Sequence, residues 1–433
     1  MEKLFKLKEN GTTPGREIAA GVTTFLTMAY ILAVNPGMLG SIGNGMTPQA
    51  VFTATILASA LAMLVMAFAA NLPVALAPGM GLNAFFTYTV VFGMGYSWQT
   101  ALAAVFCEGL IFIILSFFNV REALVKAIPA NLKRAVAVGI GLFITMIGLG
   151  NAGIMVRNEA TFVSIGDITG GAPLVAVIGI IVMMALYIRK VPGSILIGII
   201  LTTLIGIPLG VTVIPKNFSP FSFPAAPLLF QFDFSRVLTL EFFTVLFTFF
   251  FVDILDTVGT LVGVTTQAGM VGKNGEIPRV KQAFLADAVG TAAGAALGTS
   301  TVTSYIESAS GVAAGGRTGL TTLSTTVLFL LSLFLSPLFL LVPGAATAPA
   351  LIMVGFFMIQ SVVKIDFSDP TEGIPAFFTI FMMPFAYSVA QGIVFGIMSY
   401  VILKLASGKF KEISPVTFVL FFIFIAQFFL NRV

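Results

Sequence analysis

Residues 72–91 read LPVALAPGMGLNAFFTYTVV and residues 297–316 read LGTSTVTSYIESASGVAAGG. In the first, Ala77-Pro78-Gly79-Met80-Gly81 interrupts backbone hydrogen bonding twice within an apolar stretch. In the second, a polar, β-branched run gives way to small residues, which predicts a short extended piece followed by a helix. Lipid cannot repair a broken backbone. Such breaks survive at membrane depth only where protein or a water-filled cavity covers them.

The rest of the chain is built to lie in lipid. Of 433 residues, 58% are apolar and 9% charged, against roughly a quarter charged in soluble domains. A span needs about 20 apolar residues. The sequence divides into stretches at 17–35, 49–69, 75–91, 98–118, 134–151, 173–189 and 194–211, then 239–262, 282–298, 302–315, 319–341, 346–363, 374–388 and 390–405. An extra apolar segment covers 415–431 and a polar tail covers 1–16. The predicted fold is an all-α polytopic membrane protein of fourteen transmembrane spans, with no room for a soluble domain.

With the N-terminus in the cytoplasm and the spans alternating, all 22 Lys and Arg except Arg157, Lys216, Arg236 and Arg432 fall inside. Positive residues resist translocation, so this bias sets the orientation. It also accounts for the pI near 9.1 without nucleic acid, because the basic residues sit singly at helix ends. There is no histidine, and Cys107 is the only cysteine. That removes an intrachain disulfide, a Cys-based metal site and most zinc chemistry. No metal or cofactor is expected, and any proton carrier must be a carboxylate.

The first seven spans (17–211) and the next seven (239–405) echo each other, each with a broken third member. Seven is odd, so the two halves enter the membrane in opposite senses. Inverted repeats with paired Gly/Pro-broken helices point to a transporter site near the midplane. Glycines such as Gly139 and Gly148 are read more simply, as allowing close helix packing.

Five carboxylates stand in or near spans: Glu108, Asp253, Asp256, Asp287 and Glu307. Each costs about 3 kcal/mol at the bilayer centre on insertion scales, so each is a functional candidate. Asp253 and Asp256, in TVLFTFFFVDILDTVGTLVG (244–263), share a helix face at i and i+3 beside Thr257 and Thr260. Glu307 is expected at the first turn of the half-helix, where free N–H groups favour an anion or a hydrogen-bonding group. For Glu108 and Asp287 a packing role is the simpler reading.

These residues carry a family resemblance. GLNAF after NLPVALAPG, FVDILDTVGTL, and TSTVTSYIESASGVAAGGRTGL resemble the signatures of nucleobase:cation symporter family 2. The likeness is strongest to its AzgA-like branch of adenine, guanine and hypoxanthine permeases. The resemblance implies a 7+7 inverted repeat in core and gate domains, with spans 3 and 10 each a short strand joined to a half-helix. It implies that Asp253 and Glu307 hold the base, that Gly81 and Asn83 lie at the span-3 positions, and that Tyr305 sits beside the ring. Members commonly work as homodimers. Two departures stand out. Thr257 replaces the histidine of uracil-type relatives, which argues against a pyrimidine, and 415–431 exceeds the fourteen spans.

The chemistry fits a purine nucleobase. Ionised carboxylates only accept hydrogen bonds and suit the N–H edges of a purine, while Asn83 can donate and accept. An acid that releases and regains its proton between the two sides can carry that proton with the substrate, making Asp253, Glu307 and Asp256 the proton-coupling candidates. Proton symport of a purine across the plasma membrane is therefore the expected activity. Sodium coupling, or another substrate (uracil, xanthine or an anion), is the alternative. An anion carrier would want fixed positive charge at the breaks, and spans 3, 8 and 10 have none before Arg317. An enzyme would need a nucleophile or metal constellation that the chain lacks.

Overall fold

The computed structural model describes residues 2–117, 129–270 and 277–430. Of the basic residues used to orient the chain, Arg121, Lys126, Lys273 and Arg432 lie outside this set, as does residue 431 at the end of the extra apolar segment.

Every predicted stretch contains a helix, and capping chemistry sets where several begin. Thr13 accepts from the Arg16 N–H and is followed by Pro14, so the first helix starts at Pro14 rather than 17. Thr47 with Pro48 and Asp369 with Pro370 repeat the device. A side-chain oxygen satisfies an orphan N–H, and proline takes the first helical position, where it has no bond to lose. Among the described residues, nine helices are long and apolar enough to cross a membrane. The others have reasons to fall short. Val280–Leu297 is rich in Ala and Gly and largely buried among its neighbours, and the third and tenth stretches are broken.

Those breaks are strands. β1 (Leu76–Pro78) precedes the helix Met80–Ala84, which continues as the wider π-helix Phe85–Gly93. Two further strands, β2 (Met155–Asn158) and β3 (Phe162–Ile165), form a separate hairpin after the fifth stretch. β4 (Val302–Ser304) precedes the short helix Ser308–Ala313. β1 and β4 pair antiparallel, with Leu76 opposite Ser304, Ala77 opposite Thr303 and Pro78 opposite Val302. The Gly79 N–H donates to Thr301 O at 3.0 Å, and the Tyr305 N–H donates to Ala75 O at 2.9 Å. The unravelled backbone of each half is thus satisfied by the other.

Helix packing carries the inverted repeat. The fourth stretch packs on the ninth, as the eleventh packs on the second; the fifth packs on the thirteenth, as the twelfth packs on the sixth. The eighth meets the fourth, as the first meets the eleventh. Each pair becomes another observed pair when both members are shifted by seven. The helices fall into two bodies, a core around β1 and β4 and a gate centred on Ala130–Asn151 and Gly344–Ile359.

The N-terminal segment is not merely a polar tail. Phe5 and Leu7 are buried against Leu320, and Glu17 is fully buried. Its carboxylate accepts from the N–H groups of Arg317, Thr318 and Thr321 and from two hydroxyls, capping the helix Gly319–Ser332 from a distance. At the other end, Lys404 pairs with Glu372 and Glu412, at 2.9 and 2.6 Å. Pro415–Leu430 forms a further helix whose Phe424 meets Phe247 of the eighth stretch, ring to ring at 5.8 Å.

Candidate functional site

The polar run that reads as an extended piece is pinned residue by residue. Asn35 donates to Thr299 at 3.0 Å, Ser300 donates to Asn83, and Thr301 donates to Glu108 at 2.8 Å. Thr291 donates to the Val302 carbonyl at 3.0 Å, and Thr303 shares a 2.7 Å bond with Thr257. Five helices therefore hold one strand. In a helix these hydroxyls would bond the carbonyl four residues back; in extended chain they need outside partners, and the buried polar residues of the neighbouring helices supply them.

Two partly exposed carboxylates lie close to the crossing. Glu307 is half-buried at the start of Ser308–Ala313, and one of its oxygens accepts from the Tyr30 hydroxyl at 2.8 Å. Asp256 is half-buried and lies in electrostatic reach of Glu307, Tyr30 and Tyr305. It also borders the crossing, for a Cβ built on Gly79 would lie 3.8 Å from its Oδ2. Asp253, to which the resemblance assigns the contact, is fully buried. The structure thus puts Asp256 in electrostatic reach of Glu307 and encloses Asp253 in the core.

The remaining expected residues divide between site and scaffold. The Asn83 side chain is fully buried, with its oxygen taken by Ser300. Thr257 is held between Asp287, at 2.8 Å, and Thr303. Tyr305 is nearly buried and donates its hydroxyl to Pro78 O at 2.6 Å. These three brace the crossing. Gly81 is half-buried where the core meets the gate, and a Cβ there would lie 2.7 Å from Ile140 Cγ2. Overpacking of this kind costs about 1–3 kcal/mol, so Gly81→Ala should cut uptake about tenfold. Ile140→Ala should restore it in the double variant. Full uptake by Gly81→Ala alone would show that the two bodies do not close on this glycine.

Tyr30 is the site residue that sequence reasoning missed. It sits at the break between the helices Pro14–Met28 and Ile31–Gly40, buried at mid-span. Tyrosines of membrane proteins gather at the interfaces, so its central position in FLTMAYILAVN was the available signal.

A paired crossing of two broken spans, faced by half-buried carboxylates inside a helical core, defines a membrane transporter of the inverted-repeat class. The chain belongs to nucleobase:cation symporter family 2, for the family model described as "Permease family" matches residues 15–395. It is 45% identical to the guanine/hypoxanthine permease PbuG of Bacillus subtilis, over 99% of both chains. It is 43% identical to the adenine permease AdeP of Escherichia coli K12, over 99% of this chain and 95% of that protein. Among solved structures, the transmembrane domain of a cyanobacterial bicarbonate transporter, BicA, shares the fold, with a TM-score of 0.66 at 16% identity. That match covers 88% of this chain and 97% of that domain. The protein is thus a multi-pass membrane permease rather than an enzyme.

Proposed function

We propose that this permease imports a purine nucleobase together with a proton across the plasma membrane, by alternating access, with its N-terminus in the cytoplasm. The observation that carries the reading is the pair Asp256 and Glu307 facing the β1–β4 crossing, in a family whose relatives bear the names of purine permeases. A purine is flat and neutral and presents N–H donors along its edge. Two acceptor-only groups suit such an edge, and Tyr30 already occupies one oxygen of Glu307. A proton taken up with the base neutralises charge that would otherwise have to cross hydrocarbon.

Alternating access is supported by an asymmetry between the two ends of the site. Toward the outside, core meets gate: Asn151 donates to the Tyr88 hydroxyl at 2.7 Å, and the Tyr88 ring lies against Tyr387 at 6.3 Å. Toward the inside, Gly259, Gly263, Thr266 and Gln267 continue the Asp256 face of Leu240–Gln267, and all four are exposed. This arrangement fits a conformation closed outside and open inside.

Uptake of tritiated hypoxanthine and adenine by cells expressing the chain tests the reading. Uptake of at least one base should collapse with a protonophore and persist when sodium is replaced by choline. Excess unlabelled guanine or hypoxanthine should compete, and uracil should not. Sodium-dependent uptake that ignores the protonophore would sink the coupling, and equal competition by uracil would sink the substrate class.

A further inference from the structure

Glu108 is the only charged residue in Trp98–Phe117, it is fully buried, and transport as described gives it no task. Its Oε2 accepts from the Thr301 hydroxyl at 2.8 Å. The Thr301 carbonyl in turn accepts from the Gly79 N–H at 3.0 Å. Gly79 directly follows β1 and is the N-cap of the half-helix Met80–Ala84. It is wedged there, since an added Cβ would come within 2.6 Å of Thr303 Cγ2 and 3.8 Å of Asp256 Oδ2. A short bonded path thus runs from Glu108 through Thr301 and Gly79 to the edge of the site.

The carboxylate is also rigidly mounted. At Gly109 a Cβ would lie 2.6 Å from Ala292 N and 2.8 Å from Ala292 Cα, so Trp98–Phe117 meets Val280–Leu297 backbone to backbone. Val280–Leu297 itself reaches the same strand through Thr291. The height of Glu108 in the core is fixed on one side while it grips Thr301 on the other. Thr301 lies in extended chain, where its hydroxyl has no carbonyl four residues back to bond.

We propose that Glu108 is a positioning residue for the substrate site, acting through Thr301 to hold the β1–β4 crossing in the register that brings Asp256 to Glu307. Its use in substrate binding rests on the purine reading; its hold on the crossing does not. The charge is not the essential property, the acceptor is. The glutamine amide oxygen can take the Thr301 hydroxyl as the carboxylate does, whereas the methionine thioether is only a weak acceptor.

The experiment uses the full chain, purified in nanodiscs, in the variants Glu108→Met, Glu108→Gln, Thr301→Val, Thr301→Ser and the Met/Val double. Binding of tritiated hypoxanthine and adenine is read together with amide hydrogen exchange of residues 76–82 and 300–308 in ligand-free protein. Glu108→Met and Thr301→Val should each weaken binding about ten- to a hundredfold, as expected when a buried polar group loses its partner. Both should speed exchange in the two segments. Glu108→Gln and Thr301→Ser should stay within about threefold of the parent. The double variant should be no worse than its worse single, because one bond is lost in all three.

Binding and exchange unchanged in Thr301→Val would overturn the proposal. So would Glu108→Gln as weak as Glu108→Met, or losses in the double that multiply. If Glu108→Met does not yield folded protein, the isosteric Thr301→Val and its Ser counterpart decide. A parent that binds neither base counts against the purine assignment, and the exchange of the two segments still decides the role of Glu108.

Discussion

Glu307→Gln should abolish detectable purine uptake while the protein still reaches the membrane. The carboxylate serves two donors. The Tyr30 hydroxyl holds Oε1 at 2.8 Å, which leaves the other oxygen to accept from the N–H edge of a base. Glutamine keeps the shape but offers one acceptor and one donor. If its oxygen stays with Tyr30, its amide N–H faces the N–H of the base. If it turns round, the base is served and the buried Tyr30 hydroxyl must find another acceptor. Either way one buried polar group goes unsatisfied, at about 1–3 kcal/mol, or ten- to a hundredfold in affinity. Loss of the charge that strengthens the bond to the base adds to this. Tyr30→Phe is the control, since it removes the anchor and leaves the acceptor, and should cost less than Glu307→Gln. Affinity in Glu307→Gln equal to the parent protein would place the base elsewhere.

Much of this site was legible because its chemistry is visible in single residues. Pro78 and Gly79 announce a break wherever the helices lie, and the Thr-Ser run from Thr299 to Ser304 cannot satisfy itself in an extended chain. Orientation of side chains was not legible. Asn83 has the right chemistry for a base, yet Ser300 takes its oxygen, a contact between residues far apart in sequence. Glu17 reads as a cytoplasmic residue at a helix start, yet it caps a helix roughly 300 positions later. Tyr30 becomes a site residue only once the first span lies against the tenth. Such facts depend on which helix faces which, and local periodicity carries no information about that.

Asp256→Asn should impair uptake about ten- to a hundredfold and blunt its dependence on the proton gradient, whereas Asp253→Asn should leave half-saturation within about threefold. Sequence spacing alone does not separate these two acids. Residues three apart on a helix differ by only about 60° around its axis, and family resemblance favours Asp253 with Asp256 as the more tolerant. Packing favours Asp256. Asp253 has no exposure, so a base could reach it only if the core came apart. Asp256 is half-buried on the open face, with Gly259 and Gly263 beyond it toward the helix end. Gly79 at the crossing leaves room for its carboxylate, 3.8 Å from where a Cβ would stand. Asn at 256 turns one acceptor into a donor facing the base, with the same penalty as at Glu307, and it removes a group able to carry the proton. Asn at 253 is near-isosteric, so its effect should appear in the amount of folded protein rather than in affinity. Concentration dependence of uptake for both variants, each corrected for protein in the membrane, separates the cases. Loss of affinity confined to Asp253→Asn would return the substrate contact to Asp253 and require a rotation of Leu240–Gln267 during transport.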